Sequence, residues 1–192
     1  MLYLIYFLLF FQLASSINTV KELDLKKYQG MWYQMYGDRF DQTFEKYGKC
    51  ITASYTILPN GNITILNSQI SILNNLEQIS GYAYYKNNSN PGELTVHLEG
   101  VPHDSPYWII ELGPVIDGYY DWAFVSDPLK LSLFILARDV DRFNRDYDTY
   151  IVELIKDYGF NNVIKTSHDN CIIQYSYLIF KSIVNYFYTK IL

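Results

Sequence analysis

From Trp32 to Ala137 the chain repeats one rhythm: a short run rich in β-branched and aromatic residues, then a cluster of Gly, Pro, Asn, Asp or Ser. Cys50–Ile57 leads into Pro59-Asn60-Gly61, and Asn62–Asn67 resumes the extended pattern, which predicts an antiparallel hairpin with its own turn chemistry. Runs of the same kind cover Trp32–Tyr36, Ile79–Tyr85, Leu94–Leu98, Tyr107–Leu112, Tyr119–Val125 and Leu131–Ala137. That makes eight strands, the number at which an antiparallel sheet closes into a barrel wide enough for one small ligand. Tyr (20) and Phe (11) in 192 residues strengthen the reading, because aromatic and β-branched side chains favour strands. The fold class is all-β.

After Arg138 the period changes. Tyr147, Ile151, Leu154, Ile155 and Tyr158 recur at helical spacing, Asp146 or Asp148 can cap the start, and Gly159 can stop the run. One C-terminal helix over about 146–158 is expected, packed on the outside of the barrel by its apolar stripe. The charges just before it, Asp139, Asp141, Asp146 and Asp148 with Arg142 and Arg145, read as a solvated loop.

Residues 1–16 are apolar as far as Leu13 and end in small side chains, which reads as a secretory signal peptide; an uncleaved membrane anchor is the alternative. The barrel domain then occupies 17–176. A final segment, 177–192, is apolar and aromatic, with Lys181 and Lys190 as its only charges. It fits a covering segment, a surface that meets a membrane, lipoprotein or partner, or a removed anchoring signal.

A net charge of −5 argues against nucleic acid, whose phosphates call for a basic face. Cys50 and Cys171 are the two cysteines, and an even count in a secreted chain favours a disulfide over two free thiols. Asn62-Ile63-Thr64 and Asn87-Asn88-Ser89 make Asn62 and Asn87 glycan acceptors in a eukaryotic secretory pathway. His97 alternates with Val96 and Leu98 and should face outward, and His103 and His168 lie in loops. With no Cys/His cluster, neither a metal nor a cofactor is called for.

Several motifs, in order and at similar spacing, resemble the lipocalins, in particular the branch of apolipoprotein D and the bacterial lipocalins. They are Tyr28-Gln29-Gly30-Met31-Trp32-Tyr33, Phe44-Glu45, Gly48-Lys49-Cys50-Ile51, Asn60-Gly61, Pro106-Tyr107-Trp108-Ile109-Ile110 and Phe134-Ile135-Leu136-Ala137-Arg138. The similarity runs from about Leu25 to Cys171. It implies an eight-stranded up-and-down barrel, a Cys50–Cys171 disulfide, and a structural floor in which Arg138 lies across the Trp32 ring next to Gly30. The middle motif departs from the family's usual Thr-Asp-Tyr and reads Tyr120-Asp121-Trp122.

Strand parity then assigns an interior. If Asn62 carries sugar it faces outward, so Thr64 and Leu66 do as well, while Ile63, Ile65 and Asn67 face inward. Asn67 meets a polar group of a ligand, a water or a neighbour, or it lies at the wet rim. The same parity, aligned on lipocalin pockets, sends Ile79, Ala83, Val96, Leu98, Tyr107, Phe134 and Leu136 inward. The resemblance implies a secreted, non-enzymatic carrier of a small hydrophobic ligand: a fatty acid, lysolipid, sterol, retinoid or tetrapyrrole. A lipocalin-fold enzyme would need a free nucleophilic cysteine inside the barrel. The oligomeric state is left open.

Overall fold

Period-two alternation over eight successive runs produces a sheet that closes on itself. The computed structural model describes residues 17–38, 48–59, 61–86 and 90–171. After a one-turn helix α1 (Leu25–Tyr28) come β1 (Gly30–Asp38), β2 (Lys49–Ile57), β3 (Ile63–Ile70), β4 (Leu76–Tyr84), β5 (Glu93–Leu98) and β6 (Ser105–Leu112). A two-stranded hairpin, β7 (Val115–Ile116) and β8 (Tyr119–Tyr120), precedes β9 (Trp122–Ser126) and β10 (Leu133–Ala137). Consecutive barrel strands pair antiparallel, and β1 closes the ring on β10, with Tyr33 opposite Ala137 and Gly37 opposite Phe134. A ninth strand of this sheet, β11 (Val163–Lys165), pairs with the end of β1 outside the ring.

Up-and-down connectivity sorts the turns to two ends. Gly30, the β2–β3 turn at 58–62 and the segment 113–121 lie at one end, which α1 and Trp32 close. Turns 71–75, 99–104 and 127–132 lie at the other, open end.

The helical segment is longer than 146–158. It begins at α2 (Val140–Arg142), passes through a π turn at Phe143–Tyr147, and continues as α3 (Asp148–Asp157). Asp139 is the N-cap, its carboxylate accepting the Arg142 N–H at 2.8 Å. The stretch read as a solvated loop is therefore helix, and Arg142 pairs with the buried Asp121 at 2.6 and 2.9 Å. Charge density disguised it: before Tyr147 the apolar stripe is carried by Val140 and Phe143 amid charged neighbours. Gly159, at φ +86°, ends the helix in the left-handed region.

Apolar packing falls into two layers. Ile151 and Ile155 of α3 pack with Phe143, Phe124, Leu133 and Ile135 between the helix and the barrel wall. Inside the closed end, Tyr28, Trp32, Ile63, Ile65, Leu94, Ile109 and Leu136 form the second layer. The run Tyr119–Val125 is not one strand but is interrupted at Asp121, whose carbonyl accepts the Arg138 N–H. Cys50 and Cys171 form a disulfide across 121 residues, packed against Ile70. In the chain-entropy treatment a loop of that length stabilises the fold by about 4–5 kcal/mol.

Candidate ligand-binding cavity

The floor comes first, because it fixes which end is closed. Trp32 is fully buried, and its Nε1–H donates to the Tyr28 carbonyl at 2.8 Å. The Arg138 guanidinium lies 3.6 Å from the Trp32 ring centroid, which adds cation–π attraction of about 0.5–2 kcal/mol. Its Nη1 donates to the Met31 carbonyl at 2.6 Å and its Nε to Tyr120 at 3.1 Å. Nη2 is shared by the carbonyls of Lys27, Tyr28 and Gln29 at 2.8–3.1 Å. One planar cation thus satisfies the carbonyls at the end of α1 and ties them to β1 and β8. Burial lowers its pKa to about 10, which leaves it charged at neutral pH. Gly30 sits at φ +98°, and a Cβ there would stand 3.3 Å from Arg138 Nη1, so both conformation and space ask for glycine.

Above the floor the barrel encloses a cavity of about 300 Å³, at the small end of the range for sites that bury a small molecule. Ile65 and Asn67 come to its wall from β3, Val96 and Leu98 from β5, Tyr107 from β6, and Phe134 and Leu136 from β10. Ala83 lies lower, with Leu25, Tyr28, Ile63 and Leu94, where the space narrows to almost nothing. Ile79 is placed opposite Asn67 in the β3–β4 ladder and is half-buried, but it is not part of the cavity wall.

Parity reasoning missed β1 and β2. Gln34, Ile51, Thr52, Ala53 and Tyr55 all reach the cavity. Gln34 was within reach, two residues along the strand from the inward Trp32. Thr52 was not, because it stands opposite Tyr33 and Ser68, on the other face of β2 from Ala53, and borders the cavity between its neighbours Ile51 and Ala53.

The polar groups of the wall are neutral. No Asp, Glu, Lys, Arg or His lines the cavity among the described residues. At its base the Tyr107 hydroxyl lies 2.7 Å from that of Tyr28 and 3.0 Å from that of Tyr55. Burial pushes the Tyr28 and Tyr107 phenols well above their usual range, so they stay protonated. Asn67 Oδ1 is buried with no hydrogen-bond partner among the described residues.

The remaining candidates lie elsewhere. Asn62 is at the closed-end turn, where its carbonyl accepts the Leu58 N–H at 2.7 Å; Asn87 lies outside the described residues. Ile63 is buried and Leu66 exposed. His97 is on the outer face, its Nδ1 2.8 Å from Asp104, and no group of His, Cys, Asp and Glu suited to a metal occurs among the described residues. Phe44-Glu45, the segment 1–16 and the tail 177–192 also lie outside them.

This geometry agrees with the comparison to known families, in which the one described as Lipocalin-like domain matches residues 23–168. The chain is a lipocalin. It is 38% identical to apolipoprotein D of Mus musculus over 97 residues, half of each chain, so the alignment spans only about half the length of that relative. It is 31% identical to the outer membrane lipoprotein Blc of Vibrio cholerae over 150 residues, covering 78% of this chain and 84% of that one. Among solved structures, apocrustacyanin C1 superposes with a TM-score of 0.57 at 19% identity, over 80% of this lipocalin and 86% of the other chain. That likeness speaks for the fold alone.

Proposed function

We propose that this lipocalin is a secreted carrier that holds a small hydrophobic molecule in the barrel cavity. The observation that carries the reading is the cavity itself: closed at the floor and open at the other end, mainly apolar, and without a charged side chain in its wall among the described residues. Apolar area removed from water supplies roughly 25 cal/mol per Å², enough for micromolar binding once the costs of association are offset. An ionised group placed at depth would lose its hydration without a counter-ion. The cavity therefore favours a neutral lipophile, or one whose charged head stays at the open end. Asn67 and the three tyrosine hydroxyls are the polar handles for such a molecule.

In this reading the domain spans 17–176, residues 1–16 direct secretion, and Asn62 and Asn87 carry glycan. Ligand contacts are Ile65, Asn67, Val96, Leu98, Tyr107, Phe134 and Leu136, while Gly30, Trp32 and Arg138 are structural. The disulfide takes both cysteines of the sequence, so an enzymatic reading has no thiol nucleophile to use. Titration with the neutral fluorophore N-phenyl-1-naphthylamine tests the proposal. Saturable binding that is lost in Phe134→Glu supports it; binding undiminished in that variant places the ligand elsewhere.

A further inference from the structure

Three tyrosines from three different elements meet inside the barrel. Around the closed sheet the strands run β1, β2, β3, β4, β5, β6, β9, β10, so β2 and β6 stand four places apart in a ring of eight, on opposite walls. Tyr55 comes from β2, Tyr107 from β6, and Tyr28 from α1 at the floor. The Tyr107 hydroxyl lies 2.7 Å from that of Tyr28 and 3.0 Å from that of Tyr55. The Tyr28 and Tyr55 rings are stacked with centroids 5.8 Å apart, and Tyr107 meets Tyr55 edge-on at 6.2 Å. Side chains from facing walls joined at their tips make a bar across the interior.

The bar divides the space. Above it lies the cavity of about 300 Å³; below it, beside Leu25, Ile63, Ala83 and Leu94, only about 10 Å³ is left, barely the room for one water. Tyr55 and Tyr107 border both spaces, which identifies them as the partition. Each phenol is both a donor and an acceptor, and the three satisfy one another. Cargo that pushed one of them aside would leave a buried hydroxyl without its partner, and the close-packed rings have no slack to absorb the shift.

We infer that Tyr107, held by Tyr28 and Tyr55, is a depth stop that sets how much of a cargo molecule this barrel encloses. The inference rests on the carrier reading and adds a size class to it. At the roughly 30 Å³ that a water-sized heavy atom takes up in a liquid, the upper space encloses about ten non-hydrogen atoms. A neutral medium-chain molecule fits it whole, with Asn67 as a polar contact on the wall. A longer chain or a polycyclic molecule is enclosed only in part, and the remainder stays at the open end.

A series of n-alkanols from hexanol to tetradecanol, displacing N-phenyl-1-naphthylamine from the full chain, tests this. For wild type each added methylene should tighten binding about fourfold until the space is filled, near about ten non-hydrogen atoms, and then add nothing. Tyr107→Ala joins the two spaces and should move this break by about three carbons or more. Tyr55→Leu opens the bar from the opposite wall and should move the break in the same direction, which keeps the test decisive if Tyr107→Ala does not fold. Ala83→Val fills only the lower void, so it should leave the wild-type break in place and pull the break of Tyr107→Ala back toward wild type. A tyrosine that only stabilised the barrel would not couple to chain length in this way.

A wild type whose affinity climbs without a break through tetradecanol overturns this inference alone, as do folded Tyr107→Ala or Tyr55→Leu variants that keep the wild-type break. A wild type that binds neither the fluorophore nor any alkanol overturns the carrier reading and this inference with it.

Discussion

Replacing Arg138 by Met keeps the length of the side-chain stem and removes the guanidinium that closes the floor. Four losses follow: the stack on Trp32 at 3.6 Å, the bond to Met31 at 2.6 Å, the bond to Tyr120 at 3.1 Å, and the shared bonds to the end of α1. The stack is worth about 0.5–2 kcal/mol, and a hydrogen bond to a charged donor about 1.5–3 kcal/mol. These terms do not add, because water reaches the outer carbonyls once the cation is gone. The net expectation is a loss of about 3–5 kcal/mol. Read by tryptophan fluorescence in urea, at a slope of about 2 kcal/mol per M, the midpoint should fall by about 1.5–2.5 M. Arg138→Lys should recover less than half of this, since an ammonium restores the charge but not the planar fork. The folded protein should bind N-phenyl-1-naphthylamine as wild type does, because Arg138 does not line the cavity. A midpoint shift below about 0.5 M at unchanged slope would refute the floor argument.

Other consequences can be checked separately. Gly30→Ala forces a Cβ into a left-handed backbone beside Arg138 and should cost about 1–2 kcal/mol in the same urea assay. Cys50→Ala with Cys171→Ala should cost up to about 4–5 kcal/mol; an unchanged melting temperature would contradict the loop-closure account. Burial depresses the His168 pKa, so the unfolded chain takes up a proton first as pH falls below about 6.5. Stability is then fully present above that pH and declines below it, and His168→Gln should flatten this slope in melts between pH 7 and pH 5, within the range where an ordinary histidine titrates. In an alkaline absorbance titration, Tyr28 and Tyr107 should ionise only when the fold opens, and their titration along with exposed tyrosines would contradict their burial.

Much of this fold could be read from residues whose physical roles are local. The turn chemistry of Pro59-Asn60-Gly61 and the alternation of Ile63, Ile65 and Leu66 need no distant partner to be recognised, and burial of the two isoleucines with exposure of Leu66 follows that alternation. The features that escaped depend on tertiary context. Val140–Tyr147 is helical because Arg142 finds the buried Asp121 and Phe143 finds the helix–barrel core, and neither contact has a signature in the local pattern. Val163–Lys165 is too short to announce itself and exists as a strand through its pairing with β1. Thr52 borders the cavity although its ladder partners Tyr33 and Ser68 put it on the opposite face from Ala53, which parity alone does not anticipate. Leu131 looked like the start of a strand, whereas Asp127 holds it in a turn and β10 begins at Leu133.

The central claim is that the cavity holds a small hydrophobic molecule. Native mass spectrometry of the chain purified from its own source, followed by organic extraction of the same sample, tests it most directly. The account predicts a one-to-one complex with a small, mostly apolar molecule that is released on extraction and is absent from Phe134→Glu prepared in the same way. A chain that carries no small molecule and takes up none of the lipophiles offered to it, or a bound molecule retained by Phe134→Glu, would contradict it.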